Sequence, residues 1–323
     1  MELREELKDE TTSHTVSAAA SGTWLLGDLT VHRLGFGAMR LTGSAAFHQG
    51  TPSDRARSLA VLRRAVELGV NHIDTAAFYF SRLRSANELI NSALAPYADD
   101  LVIATKVGPA RDASGAWADP ARPEQLRGQV EENLRQLGRD HLDVVNLRVM
   151  GQDDISEHFG ALAELRHAGL IRHLGVSGAR PEHLAQAQAI APVVCVQNRY
   201  GIDVPDGERM LRACAQHGIA FVPFFAIAGK GREAGAVQAE RAEVRAIADA
   251  HGVSPAQVRL AWILHQGAHV LAIPGTGNPA HLDANVAAGT LRLAEKELRL
   301  LDAVARPAPS GTGPGSTAPR TPA

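Results

Sequence analysis

Eight short aliphatic or β-branched runs recur along this chain, at residues 34–39, 70–74, 101–106, 144–148, 171–177, 193–197, 219–224 and 270–273. Each of the first seven is followed by a longer amphipathic segment before the next run begins, and a helical segment closes the series. Such alternation signals βαβ units on a parallel sheet, because a parallel strand pair needs a crossover long enough to hold a helix. Two helix starts are explicit. Pro123 precedes LRGQVEENLRQL, and Ser254-Pro255-Ala256-Gln257 is a capping box with proline at the first helical position. Residues 22–34 alternate around a Gly27-Asp28 turn and read as a β-hairpin, while 295–304 read as an extra terminal helix. The expected architecture is an α/β fold, a (β/α)8 TIM barrel with an N-terminal β-hairpin and a C-terminal extra helix.

At 323 residues the chain is near the upper limit for one hydrophobic core, so a two-domain, doubly wound arrangement competes with the barrel. A doubly wound dinucleotide fold needs G-x-G-x-x-G between its first strand and helix, and LGFGAMR does not supply it. Its glycines suit a crowded barrel strand and close backbone approach to a ligand. Residues 1–20 lack apolar periodicity and 306–323 are a Pro/Gly/Ser/Thr tract, so both are read as disordered tails around one barrel domain over 21–305.

A formal charge of -2 with no basic stripe argues against a nucleic-acid partner. The acidic opening MELREELKDE is unlike a secretory signal, and no apolar window approaches the roughly 18 residues of a membrane span. A cytoplasmic protein with no membrane partner is expected. The two cysteines, Cys195 in VVCVQ and Cys214 in a helical pattern, read as core residues, and none of the 14 histidines has a metal-binding spacing. No metal is expected.

In a barrel enzyme the chemistry lies at the C-terminal ends of the strands. The second run ends in Asp74 with Tyr79 five residues on, the third in Lys106, the fourth in Arg148, the fifth in Ser177 and the sixth in Gln197-Asn198. Singly, Asp74 reads equally as a helix cap, Tyr79 as a loop aromatic and Lys106 as a solvated charge. Jointly they bring ionisable groups to neighbouring points on one rim. A phenol of pKa about 10 exchanges a proton at neutral pH only when a nearby cation stabilises its phenolate. Lys106 supplies that cation, Asp74 keeps it charged, and Tyr79 protonates the oxygen of a carbonyl receiving hydride. By the two-residue period Arg148 shares a strand face with Asn146 and reaches the rim, to donate to a substrate oxygen or to form a structural ion pair. Asn278-Pro279 caps and starts a helix, which places an anion site at the turn after the eighth run.

Through LGFGAMRLTG, GVNHIDTAAFYF, LVIATKVG, GLIRHLGVS, VVCVQNRY and IPGTGNPAHLDANVAA, in order from about residue 34 to 288, the sequence resembles the aldo-keto reductase family. The resemblance implies a hairpin closing the barrel floor, NADPH-dependent reduction of a small-molecule aldehyde or ketone, and an Asp-Tyr-Lys-His tetrad. Asp74, Tyr79 and Lys106 match its first three members. Arg148 stands in the place of the histidine, and it stays charged and does not relay a proton. The resemblance further implies cofactor contacts from Met39 and Arg40, carboxamide contacts from Ser177 and Gln197, and stacking of nicotinamide on Phe224, for which core packing is the alternative. Gly178 stands where an asparagine often completes the carboxamide set. Gly275 and His281 replace the usual lysine and arginine of the 2′-phosphate, with Thr276 beside them and Asn285 near the adenine, so NADH stays open beside NADPH. AIAGKGREAGA after Phe224 suits a mobile segment over the pyrophosphate, and Phe47, Phe78 and Phe80 suit an apolar entrance. Two alternatives accompany this oxidoreductase reading: a non-catalytic NADP-binding barrel acting as a redox sensor, and a barrel aldolase or hydrolase with Lys106 as a Schiff-base amine.

Overall fold

The computed structural model describes residues 16–43, 51–112, 114–204, 207–227 and 239–305. At its floor, β1 (Thr23–Leu26) and β2 (Leu29–His32) pair antiparallel with Leu26 opposite Leu29. Gly27 makes the turn at φ 68°, a conformation that residues with a Cβ rarely adopt. Leu26 and Val31 then share one apolar cluster with Val102, Ala104, Val144, Cys195, Ala220, Val222 and Leu271, so the hairpin plugs the barrel. Asp28 at its tip pins it by pairing with Arg172 at 2.8 Å and His173 at 2.6 Å.

Above the hairpin a curled parallel sheet runs in chain order through β3 (Phe36–Gly37), β4 (His72–Asp74), β5 (Val102–Val107), β6 (Leu142–Arg148), β7 (Ile171–Ser177), β8 (Val193–Gln197) and β9 (Ala220–Phe221). The eighth run does not form a regular strand. It closes the sheet by isolated parallel bridges, Phe221 to Val270 on one edge and Leu34 to Ala272 on the other. Leu271 N donates to Phe221 O at 2.9 Å and Gly35 N to Ala272 O at 2.8 Å, after which Pro274 has no N–H to continue the ladder. The expected eight-stranded barrel is thus a seven-stranded sheet with a bridging closure, a TIM-barrel-like fold. Glycine is required at this seam: a Cβ on Gly37 would lie 2.6 Å from Ile273 O, and one on Gly275 would lie 2.5 Å from Gly37 O.

Helices α1 (Arg55–Glu67), α2 (Ala86–Leu94), α3 (Leu126–Leu137), α4 (Ser156–His167), α5 (Pro181–Gln188) and α6 (Glu208–His217) follow β3 to β8 in turn. The next connection carries two helices, α7 (Ala242–His251) and α8 (Pro255–His265), before α9 (Pro279–Ala287) and the extra α10 (Glu295–Ala305). The capping box is present at α8: Gln257 N donates to Ser254 Oγ, and Ser254 N donates to the Gln257 side chain. One expectation needs correction, because residues 16–20 do not belong to a loose tail. Ala18–Ser21 form a 3-10 turn capped by Ser17, Ala18 is buried, and its N–H donates to Leu68 O at 2.8 Å. A single buried alanine leaves no periodicity to read. The remaining tail residues, Phe47 and residues 228–236 of the Gly/Ala-rich segment lie outside the described residues. Among the described residues no helix is long and apolar enough to cross a membrane.

Candidate active site

The strand ends and the loop after β9 surround a cavity of about 300 Å³. Register brings its basal groups together. Asp74 pairs with Ala104, so Lys106 lies two residues further along β5 on the same face. Lys106 Nζ donates to the two Asp74 oxygens at 2.6 and 2.7 Å and to Thr75 O at 2.9 Å, and both side chains are only 5% exposed. Gln197, ending β8, donates from Nε2 to Asp74 Oδ1 at 2.7 Å. Tyr79 sits buried in the loop after β4, with Lys106 Nζ 4.9 Å from its ring centre. Ala86 N donates to Tyr79 O at 2.9 Å, which ties this loop to the start of α2.

Burial alone would lower the Lys106 pKa, but the charge and hydrogen bonds of Asp74 and Tyr79 outweigh it and hold the ammonium above its ordinary value. Burial also dominates at Tyr79, raising the phenol above its ordinary value although Lys106 and, more weakly, Arg148 act the other way. The net direction is therefore opposite to the lowering expected from a neighbouring cation. Tyr79 remains protonated at neutral pH, the state a proton donor needs. His72, two residues before Asp74, is pushed down to about 4 by burial, and its Nδ1 has no hydrogen-bond partner, so the ring is neutral.

Asn146 and Arg148 share the inward face of β6 as expected. Asn146 Oδ1 accepts from Cys195 Sγ at 3.2 Å, and Arg148 lines the cavity. The Arg148 guanidinium makes a long hydrogen bond from Nη1 to Ser177 Oγ at 3.4 Å and lies 5.2 Å from the Phe224 ring centre. A structural ion pair is not what holds it, since its partners among the described residues are a hydroxyl and a ring. Met39, Arg40 and Gly275 also line the cavity, beside Ser177, Gln197 and Phe224. Gln197 Oε1 is buried without a hydrogen-bond partner. A lone acceptor beside a serine hydroxyl and an aromatic face fits a primary carboxamide on a flat ring, which is the reactive end of a nicotinamide cofactor.

Thr276, His281 and Asn285 are not brought into that lining. Thr276 Oγ1 accepts from Asn278 N at 3.0 Å, and Asn278 caps α9 by accepting from Ala280 N at 3.0 Å, with Pro279 as the first helical residue. His281 is exposed on the first turn of α9, and Asn285 is buried one turn later.

Several residues of the site carried no assignment in the sequence. Arg199 lines the cavity, with its guanidinium 5.1 Å from the Phe225 ring; its position two residues after Gln197 on one strand face was a usable signal. Phe225 adopts φ 69°, uncommon for a bulky residue, and this turn presents both Phe224 and Phe225 to the cavity. Arg111 donates from Nη1 to Phe78 O at 3.0 Å and Phe80 O at 2.9 Å, the carbonyls flanking Tyr79, and packs 4.2 Å from the Phe80 ring. Nothing local in the sequence announces that clamp. Phe78 and Trp117 form part of an apolar mouth, whereas Phe80 faces Arg111 instead.

Fold and site define a TIM-barrel-like α/β protein whose cavity holds a buried phenol beside an ammonium–carboxylate pair. The Aldo/keto reductase family model matches residues 33–306. Pyridoxine 4-dehydrogenase of Escherichia coli (strain K12) is 42% identical over 294 residues, covering 89% of this chain and 99% of the relative. An uncharacterized oxidoreductase of Schizosaccharomyces pombe is 34% identical over 291 residues, 90% of this chain and 92% of its own length. A crystal structure of an aldo/keto reductase from Klebsiella pneumoniae in complex with NADP and acetate aligns with TM-score 0.69 at 28% identity, covering 88% of this chain and 94% of that one. The chain belongs to the aldo/keto reductase family, a family of oxidoreductases.

Proposed function

We propose that this protein is a cytoplasmic enzyme that reduces small aldehydes or ketones to alcohols with NADPH, and runs the reverse oxidation. The observation that carries this reading is the buried Asp74–Lys106–Tyr79 chain at the base of a cavity whose wall holds the unpartnered Gln197 Oε1. Bound NADPH supplies a hydride to the carbonyl carbon. Tyr79 gives its proton to the carbonyl oxygen, Lys106 stabilises the phenolate left behind, and Asp74 keeps Lys106 charged and in place. Ser177, Gln197 and Phe224 hold the carboxamide and ring; Met39, Arg40 and Gly275 line the path onward, and Thr276, His281 and Asn285 receive the phosphate and adenine end. NADPH stands ahead of NADH because the Klebsiella relative holds NADP.

Arg148 donates to the substrate oxygen, where its fixed charge stabilises developing negative charge and its fork binds a second oxygen beside the first. Pyridoxal carries a phenolic oxygen next to its aldehyde, and the Escherichia coli relative bears the name pyridoxine 4-dehydrogenase, so the pyridoxal/pyridoxine pair is the first substrate to test. Lys106 is a poor Schiff-base amine, since its ammonium is held above its ordinary pKa. The sensor alternative draws support from Arg148, which does not relay a proton. Steady NADPH oxidation with pyridoxal or a simple aromatic aldehyde is the expected result. NADPH binding without turnover of any carbonyl in a broad panel would replace the reductase with the sensor.

A further inference from the structure

Two departures from the family pattern, Arg148 and Gly178, meet in space. Arg148 pairs with Ser177 across β6 and β7, which puts Gly178 beside the arginine side chain. A Cβ built on Gly178 would lie 2.3 Å from Arg148 Nη1 and 2.9 Å from Cζ, so the guanidinium occupies the space that a side chain at 178 would fill. From that space it reaches Ser177 Oγ at 3.4 Å, close to the Phe224 ring, along the wall where Gln197 Oε1 lacks a partner. A carboxamide needs both kinds of partner: an acceptor for its N–H2, which Gln197 Oε1 provides, and donors for its oxygen. Ser177 is one donor.

We propose that Arg148 is the second, giving one of its five N–H groups to the nicotinamide carboxamide and leaving the others for the substrate oxygen, and that Gly178 is a positioning residue whose missing side chain leaves room for the guanidinium. Position 178 turns left-handed at φ 64°, which asparagine tolerates better than other residues with a side chain. An asparagine there would compete with the guanidinium for one space, so that neither donor would be seated; beside the shorter histidine at 148 its amide would have room to reach the ligand. Arginine with glycine and histidine with asparagine are then two complete solutions, and either mixture is broken.

The inference rests on the reading that the site takes a nicotinamide cofactor, and its test needs no turnover. NADPH is titrated into the protein by fluorescence in four variants. Arg148→Ala and Gly178→Asn should each weaken binding about ten-fold, the size of one lost charge-assisted hydrogen bond. Arg148→His should do the same, and Arg148→His with Gly178→Asn should return to within about three-fold of the parent, a coupling typical of side chains in contact. Melting temperatures of the ligand-free variants separate lost binding from lost folding. Unchanged affinity in Arg148→Ala, or a double variant whose loss is the product of the two single losses, would overturn the proposal. A protein that shows the coupling yet reduces no carbonyl would refute the proposed reaction and leave this inference standing.

Discussion

The two ends of the proposed cofactor path are built in opposite ways. At the nicotinamide end, Asp74, Lys106 and Gln197 are buried and bound to one another at 2.6 to 2.7 Å before any ligand arrives. At the phosphate end, Gly275 has no side chain, Thr276 Oγ1 accepts from the Asn278 N–H, and His281 is exposed. The first end prescribes geometry; the second, among the described residues, offers the helix N-terminus with no fixed cation at positions 275, 276 or 281. A lysine at 275 is barred sterically, since its Cβ would meet Gly37 O at the barrel seam. On the proposed reading the nicotinamide end is therefore the firm one and the phosphate end the soft one.

Breaking the firm end should have the largest effect. Lys106→Met removes the cation and leaves Asp74 buried without its partner, which is expected to destabilise the fold by about 3 to 5 kcal/mol and to abolish measurable turnover. Denaturant melts and steady-state rates check this, and an unchanged melt would show that Asp74 does not depend on Lys106.

The same end should be sensitive to acid. His72 is held neutral, with a pKa of about 4 against an ordinary 6.5. Above pH 6.5 neither the folded nor the unfolded state binds this proton; between 6.5 and 4 the unfolded chain binds it and the folded chain does not. Stability should thus be full above the upper value and fall as pH drops through the window, by up to about 3 kcal/mol. His72→Asn should flatten the dependence in urea melts across that range. An undiminished slope would assign the effect to another group.

At the soft end the effect should be smallest. His281→Ala is expected to weaken NADPH binding by less than about five-fold, as for other exposed polar contacts. A loss of about a hundred-fold, roughly 2.7 kcal/mol, would make this end as firm as the other and end the contrast.

Legibility in the sequence divides along another line, between local pattern and contacts of distant segments. Asp74, Lys106, Arg148, Ser177 and Gln197 all stand at the ends of aliphatic runs, so strand period and barrel logic were enough to place them on one rim. The hairpin was readable from one Gly-Asp turn, and α8 from its capping box. What local pattern does not encode depends on contacts between distant segments. Arg111 bonds to the Phe78 and Phe80 carbonyls across 33 and 31 residues, and the Arg148–Gly178 fit spans two strands. The eighth run has a strand's aliphatic pattern but forms only isolated bridges, and Pro274, whose carbonyl accepts from Gly37 N, has no N–H to fill the ladder. The direction of the Tyr79 shift is not legible, because sequence shows a neighbouring cation but not the burial that outweighs it.

The central claim is that the Tyr79 hydroxyl is the proton donor on a preformed Asp74–Lys106 base. Tyr79→Phe removes that hydroxyl and keeps the ring, leaving the Asp74–Lys106 pair in place. Turnover with the best carbonyl substrate should fall by at least about 10²-fold while the NADPH dissociation constant, measured on the same preparation, stays within about two-fold of the parent. Near-parental turnover in Tyr79→Phe would contradict the account.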